Sequence, residues 1–157
     1  MSFIGIISNK FNKIELENML KKNFDNLEFI TLKNDNIDNM RNVMFDILII
    51  NYEMKNIVQL KDIMKNSKYI LVNCDVKIDS GLFDNIEAYV VTYGFNKKAT
   101  IMVVSSDQDE IILDFQRNIK GINDINIESG EIKFLSKYPK KYFYEEIVCS
   151  IIKKIYG

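Results

Sequence analysis

Histidine is missing altogether from the 157 residues. That removes the commonest general base, the commonest zinc ligand and every Ser-His or Cys-His catalytic arrangement. Cysteine is nearly as scarce. Cys74 and Cys149 stand far apart with no C-x-x-C spacing, so two reduced thiols are expected rather than a disulfide or a redox pair. An excess of charge of one sign is lacking too: 21 basic residues against 22 acidic ones leave a net charge of −1. A nucleic-acid or anionic-membrane partner would want a concentrated basic surface, so neither is expected. No run approaches the ~18 apolar residues of a membrane helix. The short apolar stretch after Met1 also lacks the basic lead of a signal peptide. The expectation is a cytoplasmic protein with no membrane insertion.

What is present reads as globular. Hydrophobic content of 47% and charged content of 27% are ordinary values for a folded domain. The length fits a single domain spanning residues 1–157, able to bury about two-thirds of its unfolded surface.

Apolar runs over residues 3–8, 27–32, 46–52, 69–73 and 88–93 predict five strands. The run DILIINY at 46–52 is apolar on both faces, as a central parallel strand is. Between them, Leu16, Met19, Leu20 and Phe24 repeat at helical spacing behind Asn12 and Glu15, an N-cap with its capping partner. Ile37, Met40 and Met44 mark a short helix, Ile57, Leu60 and Met64 another, and Leu82 to Ile86 a turn or helix. This alternation predicts an α/β fold with a mostly parallel sheet flanked by helices, over residues 1–96.

After Gly94 the pattern changes. Thr100 to Val104 and Glu110 to Phe115 flank the turn-like cluster Ser105-Ser-Asp-Gln-Asp109, and Glu131 to Leu135 follows. Together they predict a small antiparallel sheet over residues 97–136. Behind Pro139, Tyr144, Ile147, Val148, Ile151, Ile152 and Ile155 form the apolar stripe of a closing helix over 142–156. Glu145 and Glu146 at its start and Lys153 and Lys154 at its end suit the helix dipole.

Several segments, in order, resemble the central domain of the Mur ligase family, ATP-dependent enzymes that add amino acids to peptidoglycan precursors. Val91-Thr-Tyr-Gly-Phe-Asn-Lys-Lys-Ala-Thr100 is similar to that family's strand ending in T-Y-G, with the loop and antiparallel strand that follow. Leu71-Val-Asn-Cys-Asp75 is similar to its V-N-x-D segment, which makes Asn73 the position that contacts adenine. Gly5 and the polar loop before Lys13 fall where the family has its phosphate-binding loop, and Tyr156-Gly157 ends a helix like the one closing its central domain. The resemblance covers nearly the whole chain loosely, and residues 68 to 100 with some specificity.

The departures from that family bear on chemistry. A phosphate loop uses glycines to close backbone N–H groups around phosphates, a Lys on the β/γ-phosphates and a Ser or Thr on Mg²⁺. The segment Ser8-Asn-Lys-Phe-Asn-Lys-Ile14 has no glycine, carries the bulk of Phe11, and places Ile14 where the hydroxyl belongs. Asn51-Tyr-Glu-Met replaces an Asp-His pair, and Lys141-Tyr142 a His-Asn pair. Lys61 lies one residue from the position of the modified, metal-assisting lysine. No C-terminal amino-acid-binding domain follows Gly157. The resemblance therefore implies a degenerate relative without ligase chemistry.

No catalytic residue and no metal site is expected, nor any cofactor. Residual cofactor-binding positions would be Asn73 and Lys13. Each also has a simpler role, Asn73 ending a strand and Lys13 standing solvated in a first helical turn. Asp75 and Asp79 are two loop carboxylates without a third ligand. Gly94 permits a turn that other residues resist, and the aromatic segment Tyr138 to Tyr144 serves either a partner or the core.

The reading these features favour is a non-catalytic binding or regulatory module with a protein partner, tied to the cell envelope by ancestry alone. A small nucleotide-binding domain with an unorthodox phosphate site is the alternative, because a helix N-terminus can hold phosphate without a full motif. A receiver-type signalling domain is the third. It needs acidic residues where Ser8-Asn9 and Asn51-Tyr52 stand, and a lysine at Tyr93-Gly94.

Overall fold

The computed structural model describes residues 2–8, 16–107 and 109–157. It runs β1 (Ser2–Ile7), α1 (Leu16–Asn23), β2 (Leu27–Thr31), β3 (Ile47–Ile50), α2 (Ile57–Lys65), β4 (Tyr69–Asn73), β5 (Tyr89–Gly94), β6 (Ile101–Ser105), β7 (Glu110–Phe115), β8 (Ile119–Lys120), β9 (Asn126–Ile127), β10 (Gly130–Leu135) and α3 (Phe143–Tyr156). The main sheet has eight strands in the order β10-β7-β6-β5-β4-β3-β1-β2. The α/β class and the mostly parallel sheet agree with the sequence reading. Asn12, Lys13 and Glu15 lie outside the described residues. Residues 1–91 and 92–157 form two compact units.

In the first unit, β1 pairs in parallel with β2 on one side (Ile4 with Phe29) and with β3 on the other (Ile4 with Ile47). β3 in turn pairs in parallel with β4. Every residue of β3 and β4 is buried, which is why both read as continuous apolar runs. One face meets α2 in a cluster that includes Leu48, Ile50, Ile70 and Val72 with Leu60, Ile63 and Met64. Gly5 lies inside β1 rather than in a loop. A Cβ there would stand 3.2 Å from the Phe45 ring and from Leu48, so the glycine makes room for an aromatic packed across the strand.

The expected helix through Ile37, Met40 and Met44 closes after one 3-10 turn, Ile37–Met40, and Met44 is 63% exposed. Asn36 fixes where that turn begins. Its Oδ1 accepts from the Lys33 N–H and its Nδ2 donates to the Thr31 carbonyl, holding the chain in a turn as it leaves β2.

The second unit starts on the Thr-Tyr-Gly segment. Gly94 has φ +150°, which glycine adopts without steric cost. β6 pairs in parallel with only the last two residues of β5, Tyr93 with Ile101 and Gly94 with Met102. That limited overlap is why residues 95–100 suffice as a connection, where a full parallel crossover needs about a dozen. The loop is held from both sides. Thr92 Oγ1 accepts from the Thr100 N–H at 2.9 Å, and Gln116 Nε2 donates to the carbonyls of Lys97 (2.9 Å) and Ala99 (2.6 Å).

β6, β7 and β10 pair antiparallel, with an irregularity between Val103 and Ser105. They continue the main sheet. The separate small antiparallel sheet is β8–β9, two strands too short to read from sequence. On α3 the expected stripe is real: Ile147, Val148, Ile151, Ile152 and Ile155 are all buried. Among the described residues no helix is long and apolar enough to cross a membrane.

Candidate functional site

Parallel α/β sheets bind ligands beyond the carboxyl ends of their strands, near the point where strand order reverses. Here the chain leaves β1 for β2 on one side and returns to β3 on the other, so the reversal lies between β1 and β3. An open cavity of about 400 Å³ sits beside it, over the ends of β3 and β4. Two loops form it. The one after β3 supplies Tyr52, Glu53 and Met54, and the one after β4 supplies Lys77, Ile78 and Asp79. Ile50, Leu60 and Leu82 are buried and make an apolar floor, while Glu53, Lys77 and Asp79 are exposed at the rim.

Local chemistry sets these positions. Asp79 Oδ1 accepts from the Gly81 N–H at 2.9 Å and so caps the 3-10 turn Ser80–Phe83, as an N-cap aspartate does. Lys61 Nζ donates to the Gly81 carbonyl at 3.3 Å, tying α2 to that turn. Lys61 is thus engaged with backbone rather than aimed into the cavity. With two carboxylates against one ammonium, the rim repels a polyphosphate and suits a neutral or cationic group seated on an apolar floor.

Asn73 ends β4 with 0% exposure. Its Nδ2 donates to the Asn51 carbonyl at 3.3 Å and its Oδ1 accepts from the Asp75 N–H at 2.9 Å. The second bond is an Asx turn that redirects the chain out of the strand. The amide fastens the two cavity loops together at their roots and offers no surface to a ligand. Lys13, the other sequence-derived binding position, lies outside the described residues.

Among the described residues neither Cys74 nor Cys149 forms a disulfide. Burial, then the neighbouring carboxylates of Glu146 and Glu145, push the Cys149 thiol up to about 12, so near neutrality it stays protonated and is a poor nucleophile. Among the described residues no three His, Cys, Asp or Glu side chains come together as a metal site.

The aromatic segment divides. Tyr142 is buried, whereas Phe143 stacks on the half-exposed Phe95 with ring centroids 5.3 Å apart. The core reading holds for the first of these and not for the second.

Tyr52, Glu53, Lys77 and Ile78 were not singled out as site residues by the sequence. The available signal was positional: Asn51-Tyr-Glu-Met had marked a departure at a strand end, where such sheets bind. No family model matches this chain, and no curated protein matches it.

Proposed function

We propose that this chain is a non-catalytic binding or regulatory module on a Mur-ligase-like central fold, with the cleft over β3 and β4 as its binding site. One observation carries the reading. The polar group at the root of the cleft, Asn73, is consumed in holding the loops, while the accessible lining is an apolar floor under a rim of Glu53, Lys77 and Asp79. Such a lining orients and holds a ligand, and its ionisable groups, Glu53, Lys77 and Asp79, stand exposed at the rim rather than buried beside a nucleophile. Fold does not fix function, so the link to the cell envelope rests on the resemblance alone.

The nucleotide-binding alternative is supported by the strand order, which places the cleft where doubly wound folds take nucleotides. Charge opposes it. Desolvating a triphosphate must be offset by converging N–H groups, a lysine and a protein-held Mg²⁺. The segment from Ser8 to Ile14 has neither glycines nor a hydroxyl at Ile14 for this. A single neutral hydrogen bond to adenine contributes about 1 kcal/mol, against roughly 4 for millimolar affinity. Isothermal titration with Mg-ATP is the test, and no saturable binding tighter than about 100 μM is expected. Binding tighter than that and abolished by Lys13→Ala would replace this reading with the nucleotide-binding one.

A further inference from the structure

β10 is the terminal strand of the main sheet, paired on one side with β7 and with nothing among the described residues on the other. An uncovered edge is a template for a further strand. Which chain it accepts follows from the direction of its backbone groups and from its two charges.

Pairing of β10 with β7 is regular from Gly130 opposite Phe115 to Leu135 opposite Glu110. The Ser136 N–H continues that ladder, donating to the Asp109 carbonyl at 2.5 Å. Along an antiparallel strand the polar groups of successive residues point to alternate sides. Gly130, Ile132, Phe134 and Ser136 therefore bond toward β7. Glu131, Lys133 and Leu135 turn their N–H and C=O groups outward, to the free edge.

We propose that this edge is a homodimer interface, in which β10 of a second copy adds antiparallel about a two-fold axis at Ile132. In that register Glu131 stands opposite Lys133 of the second copy and Lys133 opposite its Glu131. Both pairs have outward-turned backbone groups, so each exchanges two main-chain hydrogen bonds and also unites opposite charges. Among the described residues neither side chain has an ion pair, and both are exposed.

The same sequence rejects the neighbouring arrangements. Centring the axis on Lys133 or on Glu131 sets like charges face to face, and in-register parallel pairing does so at both positions. Like charges directly opposite destabilise a strand pair. A lysine on an edge strand ordinarily blocks pairing. Here Glu131, two residues earlier, makes the edge repel most strands yet complement its own copy.

The side chains agree. At the axis, Ile132 meets its symmetry mate in the close, non-hydrogen-bonded position. Phe134 falls opposite Gly130 of the second copy. Gly130 has φ +143° and nothing within 4 Å of the place a Cβ would occupy, which leaves space for an aromatic ring to cover it. Leu135, 68% exposed, extends the contact beyond the charged pairs.

The test is sedimentation velocity of the full chain across about 1 to 200 μM, a range bracketing the micromolar affinity of modest interfaces. A dimer is expected within it. Lys133→Pro removes only an outward N–H, so it should give a monomer whose circular dichroism and thermal midpoint stay close to wild type. Lys133→Glu places like charges in both pairs and should weaken the dimer at least about tenfold. The double exchange Glu131→Lys with Lys133→Glu should restore it. A wild-type monomer at every concentration overturns the proposal, as does a dimer that tolerates Lys133→Glu or one that the double exchange fails to rescue.

Discussion

Two adjacent glutamates at the start of α3 carry more of the fold than their charge pattern suggests. Helix-dipole reasoning treats Glu145 and Glu146 as solvated first-turn acids, yet they are only 2% and 7% exposed. Glu146 explains itself. Its Oε1 accepts from Ser136 Oγ at 2.5 Å and from the Tyr138 N–H at 3.3 Å, and its Oε2 accepts from the Lys137 N–H at 3.0 Å. The carboxylate thus clamps the segment after β10 onto the helix that follows it. Glu146→Ala is expected to cost about 3 kcal/mol, since it strands backbone donors beside a buried site. Glu146→Gln, which keeps one acceptor, should lose less. Urea denaturation midpoints measure both, and an unchanged midpoint for the alanine variant would show that water replaces the clamp. Sequence could not have shown this, because the partners are main-chain groups from a segment with no regular pattern. Asn73 is the opposite case. Its place at a strand end already suggested a turn-forming amide, and the structure gives it that role.

At the scale of elements, legibility tracked burial on both faces. β4 and β7 have the bounds the sequence predicts, because each carries a short apolar run, Tyr69 to Val72 in one and Ile111 to Leu113 in the other, which is a strong strand signal. The Ile37 segment and the β8–β9 pair were not legible: the first is a single turn that Asn36 starts and that does not continue to Met44, and the second depends on close backbone approach. Gly121 shows that dependence. A Cβ there would stand 2.4 Å from the Ile155 carbonyl oxygen, and the neighbouring Ile122 N–H donates to that same oxygen. Only the fold reveals why that position is glycine. α3 was legible along its stripe from Ile147 to Ile155, with the expected Tyr144 only partly buried, and Ile151 stands in its middle at 0% exposure. Ile151→Asp is expected to destabilise by more than about 3 kcal/mol, because an unpaired buried carboxylate is among the costliest substitutions. A denaturation midpoint near wild type would mean that the helix can detach without loss of the fold. The cleft was the least legible feature. Its lining comes from two loops, and no short motif encodes the way strand ends bring them together.

For the whole molecule, near-balanced charge and the absence of histidine remove the usual sources of pH dependence close to neutrality, so the informative range is alkaline. Cys149 is held protonated up to about 12 against an ordinary value near 9, by burial first and then by Glu146 and Glu145. Tyr69 is raised from an ordinary value near 10, by burial first and then by Tyr89, whose ring lies 5.2 Å away. Its hydroxyl is buried without a hydrogen-bond partner among the described residues. In the unfolded chain both groups ionise at their ordinary values, so above about pH 9 the unfolded state binds fewer protons than the folded one. Their contribution is fully present below that pH and is lost as pH rises toward the folded values. Each group in its window steepens the loss by up to about 1.4 kcal/mol per pH unit. Wild type should therefore lose more stability than Cys149→Ala between about pH 8 and pH 10.5, whatever the variant's starting value. Urea midpoints of both proteins at several pH values give the comparison, which cancels the titration of lysines and tyrosines common to the two. Parallel pH profiles would show that the Cys149 thiol is open to solvent, and that the packing around α3 is looser than its buried stripe implies.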